Sequence, residues 1–425
     1  MKYIRISAEK EASHQFRMGD TGAGKTSLTY QDLIDAESNN INYIVNDSKG
    51  GEIIARFYNE KRGDVILNPT DDRCAYWNIS SEGHDLSTYK TVATSLFPPP
   101  TVRDPTSEVF NNWTVSLAAY LMDQFHPDTE TLGSWIANYP EIESRVKGTI
   151  HEYTLPENSP QQRAGVLGTL ALAGDPLWLM PPVSEGRRQF CIRDWTRDPI
   201  GNVFISSDSD TRAALKPLIS MWMDLFILGL LASNTKKRVK LIYDELHTLQ
   251  TLTTLHDGFT MLRSAGHQII ASIQNQEQLR HLYGDQSRTI LSQAFTKWIF
   301  ATSDSDSADI LERIGGKRKL LRLEETHSRG SFYSRDKGSL KLTEYTEPVI
   351  NATQIKGMGD LHAYFVQRGF KDKMVVVPVE IPYVSLQEKN KPFIPRNIPK
   401  RVFTLPPNVG KKIAKQKMQT ALAYD

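Results

Sequence analysis

One run of residues has the composition and spacing needed to hold phosphate groups. It comprises Gly19, Asp20, Thr21, Gly22, Ala23, Gly24, Lys25 and Thr26. The spacing Gly-x-x-x-x-Gly-Lys-Thr defines a phosphate-binding loop (P-loop) when a strand precedes it and a helix follows it. Here Phe16 and Met18 predict a short strand before the run, and helical periodicity begins near Gly24. Motif and context together predict a triphosphate site.

Each residue type in this P-loop suits a triphosphate with its magnesium ion. Glycines allow successive backbone N–H groups to curl around phosphates, and the positive end of the following helix adds to the attraction. We expect Lys25 to contact the β- and γ-phosphates and Thr26 to offer its hydroxyl to the metal. The predicted ligands are therefore ATP and Mg²⁺.

A second group of chemically useful residues is a pair of carboxylates at the end of an apolar strand. Val239–Tyr243 is followed by Asp244 and Glu245, as in the Walker B element of P-loop ATPases. Asp244 is predicted to hold the hydrated magnesium through its water shell, and Glu245 to polarise the attacking water as general base. Acidic residues at strand ends are common, but combined with the P-loop this pair predicts ATP hydrolysis.

Three further polar residues are candidates. The strand 267–273 ends in Gln274, and in P-loop ATPases with a separate catalytic glutamate this strand lies between the P-loop and Walker B strands. Gln274 would then sense the γ-phosphate, or it merely caps the strand. Arg263 closes the preceding helix, either as an arginine finger for a neighbouring subunit's ATP or as a cation favoured by the helix dipole. Asp47 either faces the site or starts a turn.

The elements that must position these residues alternate between strands and helices. Apolar, β-branched runs predict strands at 3–6, 42–45, 64–67, 202–205, 239–243, 268–273 and 298–300. Helical periodicity predicts helices at 212–231, 254–264, 276–282 and 307–314. Such alternation favours an α/β fold with a mostly parallel central sheet covered on both faces.

The alternation stops between residues 75 and 185, where helix-like segments at 107–125 and 161–173 occur without a convincing strand. This stretch is predicted to be an inserted all-α domain. The wide separation of Lys25 from Asp244 supports an insertion, because a bare nucleotide-binding sheet needs far fewer residues. The nucleotide-binding domain is then discontinuous, comprising 1–74 and 186–384.

Residues 385–425 differ in composition from the rest of the chain. They hold nine Lys/Arg against two Asp/Glu, with prolines at 392, 395, 399, 406 and 407. This composition predicts a flexible basic tail. Short basic clusters at 236–238 and 317–319 would contact phosphate backbones or simply be solvated.

The remaining composition narrows the class of protein. Only two cysteines, Cys74 and Cys191, are present and far apart, which argues against a disulfide framework or a zinc site. No stretch comes close to the roughly 20 apolar residues of a membrane helix, so we expect a soluble, cytoplasmic chain. Nothing in the sequence predicts base-specific DNA recognition.

Together these segments resemble the conjugative coupling proteins of the TraD and TrwB type, the P-loop ATPases of type IV secretion. The matching segments follow the family's order at 19–26, 66–69, 214–220, 243–246, 262–266 and 274–279. The resemblance runs from about residue 3 to residue 381. The combination is far more specific than the P-loop alone.

The resemblance implies a RecA-like domain interrupted by a small all-α domain. It further implies a homo-hexameric ring with ATP between subunits and a channel for DNA, or a monomer when the subunits are isolated. Implied partners are single-stranded DNA, a relaxase within its relaxosome, and the type IV secretion channel at the inner face of the bacterial inner membrane. Two features differ from what the family leads us to expect. The family's N-terminal membrane helices do not precede the first predicted strand here. Arg17 in the P-loop strand is unexplained unless it reaches a subunit interface.

The leading functional hypothesis is ATP-driven translocation of DNA that links a relaxase–DNA substrate to the secretion channel in conjugation. One alternative is an adaptor that recruits protein substrates and has a purely structural ATP site. Another is a pump for double-stranded DNA, for which no compact DNA-reading domain is found at either end.

Overall fold

The structure is a computed structural model that describes residues 13–100, 105–328, 337–368 and 374–398. The strand predicted at 3–6 and the tail residues 399–425 lie outside the described residues. The chain divides into two compact units, Met1–Leu67 with Ile192–Pro392, and Asn68–Cys191 with Phe393–Asp425. Chain connectivity thus places the bulk of the second unit as an insertion in the first.

The strands are β1 (Gln15–Met18), β2 (Asn42–Asp47), β3 (Val65–Leu67), β4 (Tyr76–Trp77), β5 (Gln189–Phe190), β6 (Val203–Ser206), β7 (Val239–Tyr243), β8 (Gln268–Ile273), β9 (Thr296–Phe300), β10 (Lys317–Ser328), β11 (Lys337–Pro348), β12 (His362–Arg368) and β13 (Met374–Glu380). The α-helices are α1 (Lys25–Ser38), α2 (Glu52–Phe57), α3 (Leu86–Leu96), α4 (Pro105–Phe125), α5 (Thr129–Ala137), α6 (Tyr139–Val146), α7 (Pro160–Trp178), α8 (Ile192–Arg197), α9 (Arg212–Ala232), α10 (Leu255–Met261), α11 (Gln276–Tyr283), α12 (Gln286–Gln293), α13 (Ser305–Gly315) and α14 (Ala352–Lys356).

The first unit is built on a nine-stranded sheet in the order β13-β12-β9-β1-β8-β7-β2-β6-β3. The strands from β9 to β3 run parallel, whereas β12 pairs antiparallel with both β9 and β13. Every residue of β7 and β8 is buried, as expected of parallel strands covered by helices on both faces. The predicted α/β class with a mostly parallel sheet is confirmed.

One apolar cluster fixes α1 and α2 against the sheet. Leu33 of α1 and Phe57 of α2 pack with Tyr43, Phe204 and Ile242 of the strands, and all five are buried. Each such side chain contributes about 1.5–3 kcal/mol on leaving water. This packing holds the helix that follows the P-loop in a fixed position over the strands.

The longest helix of the first unit, α9, is a core helix. By length and composition, two segments of the described residues could cross a membrane, Arg212–Ala232 and Pro160–Glu185. The expectation that no stretch comes close to the length and apolar composition of a membrane helix is therefore wrong. Most of Arg212–Ala232 is buried inside the protein, so packing in the core accounts for its apolar composition. Its buried Asp224 accepts a hydrogen bond from the backbone N of Thr254.

The second unit contains helices α3 to α7 and a small parallel pair of strands, β4 and β5. Among the described residues of 75–185, the regular elements are therefore helices and the short strand β4. Close packing of α5 on α7 requires Gly133, because a Cβ there would lie 2.9 Å from the backbone nitrogen of Trp178. The small residue lets the two helix backbones approach each other.

The first part of the predicted tail, up to residue 398, is held by hydrogen bonds. In the first unit, Lys389 N donates to Ala55 O at 2.8 Å. In the second, Arg396 is buried and donates from Nη1 to Pro69 O at 2.6 Å and Leu179 O at 2.8 Å. This part of the chain is therefore packed against the protein, whereas the sequence predicts a flexible tail.

Candidate nucleotide-binding site

The sheet order places the P-loop and the Walker B carboxylates at one edge of the sheet. The P-loop follows the carboxyl end of β1, and Asp244 follows the carboxyl end of β7. Only β8 lies between these two parallel strands. Segments that are remote in the sequence therefore meet above the same edge, the usual position for ligands of open α/β sheets.

The turn of the P-loop depends on glycine. Gly19, Gly22 and Gly24 all have positive φ, at 152°, 88° and 113°. At Gly19 a Cβ would lie 2.5 Å from Phe300 Cβ and 2.8 Å from Ala301 O, so no side chain fits. The backbone thus turns back sharply after β1, as phosphate binding by N–H groups requires.

Asp20 anchors the P-loop to the segment after β9. Its carboxylate accepts hydrogen bonds from Ser303 N and Oγ, both at 2.7 Å, and from Thr302 Oγ1 at 3.2 Å. Its backbone N donates to Ala301 O at 2.8 Å. These bonds fix the start of the loop from outside, so the side chain of Asp20 positions the loop.

Lys25 is the buried cation of the P-loop. Only 7% of the residue is exposed, and its Nζ donates to Gly19 O at 2.6 Å and Asp20 O at 2.9 Å. Burial lowers the pKa of Lys25, while the charges of Glu245 and Asp244 oppose the shift. The N-cap residue of α1, which begins at Lys25, is Gly24, and because glycine has no side chain to accept from the first N–H groups of the helix, this helix start suits an anion.

Thr26 and Asp244, the predicted magnesium ligands, converge on a single cation. Lys49 Nζ donates to Thr26 Oγ1 at 2.6 Å and lies 3.3 Å from Asp244 Oδ2. Asp244 is 2% exposed, and burial raises its pKa although Lys49 opposes the shift. Because hydroxyl and carboxylate oxygens are ligands that Mg²⁺ prefers and a cation already lies between them, these residues fit a magnesium ion.

Glu245 lies beside the buried groups but keeps limited contact with solvent. Its side chain is 16% exposed, and its Oε2 lies 3.8 Å from His247 Nε2. Burial lowers the pKa of His247, with the charge of Glu245 opposing. Glu245 is thus an acceptor next to a histidine at the edge where the P-loop lies, a suitable arrangement for a general base.

Gln274 contacts the P-loop directly. Its Nε2 donates to Thr21 Oγ1 at 3.1 Å, and its backbone N donates to Gln278 Oε1 at 3.2 Å. The strand before it, β8, lies between β1 and β7, as predicted. The position of Gln274 therefore agrees with the expected geometry, and its role as a γ-phosphate sensor stays a prediction.

Arg263 lies away from this chain's own site. It is exposed and precedes the amino end of β8, whereas Lys25 follows the carboxyl end of the parallel strand β1. Its guanidinium carbon is 5.4 Å from the centre of the Phe295 ring. Arg263 can consequently serve as an arginine finger only towards a different molecule, and that role stays a prediction.

Asp47 starts a turn, the second of its two predicted alternatives. It is fully buried, and its carboxylate accepts from the backbone N of Ile53 at 2.7 Å, Ile54 at 3.2 Å and Lys49 at 3.2 Å. Burial raises its pKa to about 6. Asp47 thereby shapes the loop that carries Lys49 and supports the start of α2.

Arg17 lies inside the protein, so the suggested subunit interface is not needed to explain it. None of its surface is exposed, and its guanidinium donates to Thr29 Oγ1 at 2.9 Å and pairs with Asp32, both on α1. Burial lowers the pKa of Arg17 to about 9, and the charge of Asp244 opposes the shift. Arg17 thus ties the P-loop strand to the helix behind the loop.

Two contributions to the site escaped sequence reasoning. Lys49 and Thr29 both contact Asp244, Thr29 through a 3.5 Å hydrogen bond from Oγ1 to Oδ1. The sequence signal for Lys49 was its place two residues after Asp47 at the end of a predicted strand. Its significance depends on β2 lying next to β7, which only the folded sheet reveals.

The basic clusters at 236–238 and 317–319 carry ion pairs. Lys237 pairs with Asp198 at 2.7 Å. Across the hairpin of β10 and β11, Arg318 pairs with Glu347 at 2.7 Å and Lys319 with Glu344 at 2.5 Å. These pairs reduce the net positive charge that each cluster presents to a phosphate backbone.

Known proteins with a similar sequence or structure agree with this geometry. The sequence profile of the type IV secretion-system coupling protein DNA-binding domain matches residues 2–382. Coupling protein TraD of Escherichia coli (strain K12) is 26% identical over 406 residues, which cover 93% of this chain and 56% of TraD. The chain thus spans a little over half the length of that relative.

Solved structures show the same fold. The bacterial conjugative coupling protein TrwBdeltaN70 matches with a TM-score of 0.78 at 24% identity, covering 92% of this chain and 89% of that one. Plasmid coupling protein TrwB in complex with ADP and Mg²⁺ matches with a TM-score of 0.77 at 22% identity, covering 92% and 90%. With a family profile that matches nearly the whole chain, a shared fold and a complete P-loop, the protein belongs to the family of type IV secretion-system coupling protein DNA-binding domains.

Proposed function

We propose that this protein binds ATP with Mg²⁺ and hydrolyses it to move DNA. The observation that carries the proposal is the convergence of Thr26 and Asp244, from two distant parts of the chain, on one cation position beside Lys25. A set of structural ion pairs does not explain why a glycine turn, a helix with glycine as its N-cap and two adjacent carboxylates lie at one sheet edge. A magnesium-assisted phosphoryl transfer requires all of them.

Each residue of the site has a defined task in this reaction. Lys25 and the backbone N–H groups of 19–26 bind the phosphates and neutralise charge that develops during transfer. Thr26 and Asp244 hold the metal, which when bound polarises the phosphate oxygens. Glu245 accepts the proton of the attacking water, and Gln274, which donates to Thr21 of the P-loop, senses the γ-phosphate.

Hydrolysis is coupled to DNA transfer in an assembled protein. We assign to the chain the role of a coupling protein that brings a relaxase bound to single-stranded DNA to a type IV secretion channel at the inner membrane. Six copies form a ring, and Arg263 of each copy reaches the ATP of its neighbour. Family membership and the exposed place of Arg263 at the opposite edge of the sheet support this arrangement.

The test is ATP turnover by the purified full chain with and without single-stranded DNA. We expect turnover that rises with DNA and is lost in Lys25→Ala. Lys61→Gln, which changes an exposed lysine outside the two basic clusters, is the matched control and keeps wild-type turnover. Turnover that is absent with DNA present, or that is unchanged in Lys25→Ala, refutes an ATP-driven motor.

A second measurement separates the motor from an adaptor with a structural ATP site. Conjugative transfer is measured in cells that carry Glu245→Gln, together with capture of the relaxase by the same variant. The motor predicts normal capture and lost transfer. Normal transfer with Glu245→Gln would favour the adaptor instead.

A further inference from the structure

The ammonium group of Lys49 lies between Thr26 and Asp244, the two residues predicted to hold a magnesium ion. It donates to Thr26 Oγ1 at 2.6 Å and lies 3.3 Å from Asp244 Oδ2. Thr26 is predicted to offer its hydroxyl to the metal and Asp244 to hold the hydrated ion through its water shell, and Asp244 is 2% exposed. A divalent ion held by these two residues would lie next to the ammonium group, and the two cations would repel each other.

The loop around Lys49 permits the side chain to leave without disturbing its backbone. Asp47 accepts from the N–H groups of Lys49 and Ile53, and Arg212 donates to Ser48 O at 2.5 Å. These bonds fix the loop backbone, whereas the Lys49 side chain is 35% exposed on a flexible four-carbon stem. Rotation about side-chain bonds suffices to move the ammonium group towards solvent.

We propose that Lys49 is an internal counter-ion that magnesium must displace. It neutralises the buried Asp244 carboxylate, and it lowers the apparent affinity of the site for Mg²⁺ by competing for the same oxygens. Once displaced, the ammonium group lies at the sheet edge that holds the P-loop and is available to the terminal phosphate of a nucleotide. The proposal rests on the proposed function for the identity of the metal site, and concerns how that site is regulated.

The first test uses the metal alone. Unfolding temperatures of wild type, Lys49→Gln and the control Lys237→Gln are measured in EDTA and over a range of MgCl₂ without nucleotide. In EDTA we expect Lys49→Gln to unfold at a lower temperature, because Asp244 has lost its cation. Added Mg²⁺ restores the unfolding temperature of Lys49→Gln, and this restoration disappears in Lys49→Gln/Asp244→Asn.

The second test uses a fluorescent ATP analogue at fixed concentration, titrated with MgCl₂. If Lys49 leaves the position free in only one molecule in ten, the Mg²⁺ concentration at half-maximal effect falls on the order of tenfold in Lys49→Gln. The control Lys237→Gln keeps the wild-type midpoint. A midpoint that is unchanged or higher in Lys49→Gln, or no magnesium-dependent recovery in the first test, overturns the proposal.

These outcomes differ from those that would refute the proposed function. If the analogue does not bind in EDTA or in Mg²⁺, or binds equally to Lys25→Ala, nucleotide binding itself fails. The unfolding measurements with magnesium alone still decide the role of Lys49 in that case. If the analogue binds through Lys25 while both Lys49 tests are negative, the function stands and only the counter-ion proposal is lost.

Discussion

Opposite charges are buried together behind the P-loop. Arg17 has no exposed surface, Lys25 is 7% exposed and Asp244 is 2% exposed. Each of these charges stabilises its opposite charge nearby, because an isolated buried charge is far more costly than a paired one. The residues around the site are therefore coupled energetically before any ligand is considered.

The pair of Arg17 and Asp32 offers a test of this coupling. We expect Asp32→Ala to lower the free energy of unfolding by about 3 kcal/mol, because it leaves the buried guanidinium without its carboxylate. The double variant Arg17→Met/Asp32→Ala should recover most of that loss, since no unpaired charge remains. Urea unfolding of the two single variants and the double variant measures the coupling. Additive losses would show that the pair is not coupled.

Glu245 should affect the chemical step and leave binding intact. We expect Glu245→Gln to reduce kcat for ATP by roughly 10²- to 10⁴-fold, the usual contribution of a general base. Binding of a fluorescent ATP analogue should stay within a few-fold of wild type, because Gln has nearly the same shape and the P-loop is untouched. Single-turnover kinetics and equilibrium binding measure both. A variant that binds poorly but hydrolyses normally would contradict this role.

At the scale of elements, one buried carboxylate joins two helices. Asp224 lies inside α9 and accepts from the backbone N of Thr253 and of Thr254, both at 3.0 Å. It also accepts from the two threonine hydroxyls, at 2.6 Å and 2.5 Å. Because α10 begins at Leu255, this carboxylate fixes where α10 begins relative to α9.

Removing that carboxylate should destabilise the fold. We expect Asp224→Ala to lower the free energy of unfolding by about 2–4 kcal/mol, because it leaves buried donors without an acceptor. Asp198→Ala, which removes an exposed carboxylate, should change it by less than about 0.5 kcal/mol. Chemical denaturation of both variants makes the comparison. Equal effects would mean that burial of Asp224 contributes nothing.

Elements with strong local patterns could be predicted from the sequence. The strands β2, β7 and β8 and the helices α9 and α11 lie within a few residues of their predicted bounds, because apolar runs and helical spacing are local properties. The hairpin of β10 and β11 was missed. Leu321, Leu323 and Leu342 are exposed on it, so its alternation does not report a buried face.

The same distinction holds for the candidate site. The P-loop is contiguous, so its residues and their turn could be named from the sequence alone. Lys49 joins the site only through a strand neighbour, because β2 lies beside β7. Strand order in a parallel sheet depends on pairings over long sequence separations, which local patterns do not encode.

At the scale of the whole molecule, buried histidines make stability depend on pH. His14 is buried, and its Nδ1 accepts from Ile269 N at 2.9 Å. Burial lowers its pKa to about 4, with the charge of Arg263 adding to the shift, and burial lowers the pKa of His267 to about 4 as well. In the unfolded chain a histidine titrates near 6.5, so as pH falls the unfolded state takes up these protons first.

We therefore expect stability to fall as pH decreases from 6.5 towards 4. Each of the two histidines contributes a loss of roughly 2 kcal/mol between pH 7 and pH 5, whereas the raised pKa of Asp47 acts in the opposite direction below pH 6. Urea unfolding at several pH values measures the slope. His14→Asn keeps an acceptor for Ile269 but cannot titrate, so its profile should be flatter. An unchanged slope would contradict the burial of a neutral His14.

The central place of β1 in the sheet also sets an order for folding during synthesis. Gln268 Nε2 donates to Ser13 O, and Trp298 Nε1 donates to Gln15 Oε1, contacts that join residues 255 and 283 positions apart. Closing such long loops is slow, and β1 stays unpaired until its two neighbours, β8 and β9, have left the ribosome. A nascent chain that ends before Gln268 therefore contains the glycine-rich motif but lacks the strands that fix its folded turn. We expect the growing protein to gain the ability to capture a nucleotide last.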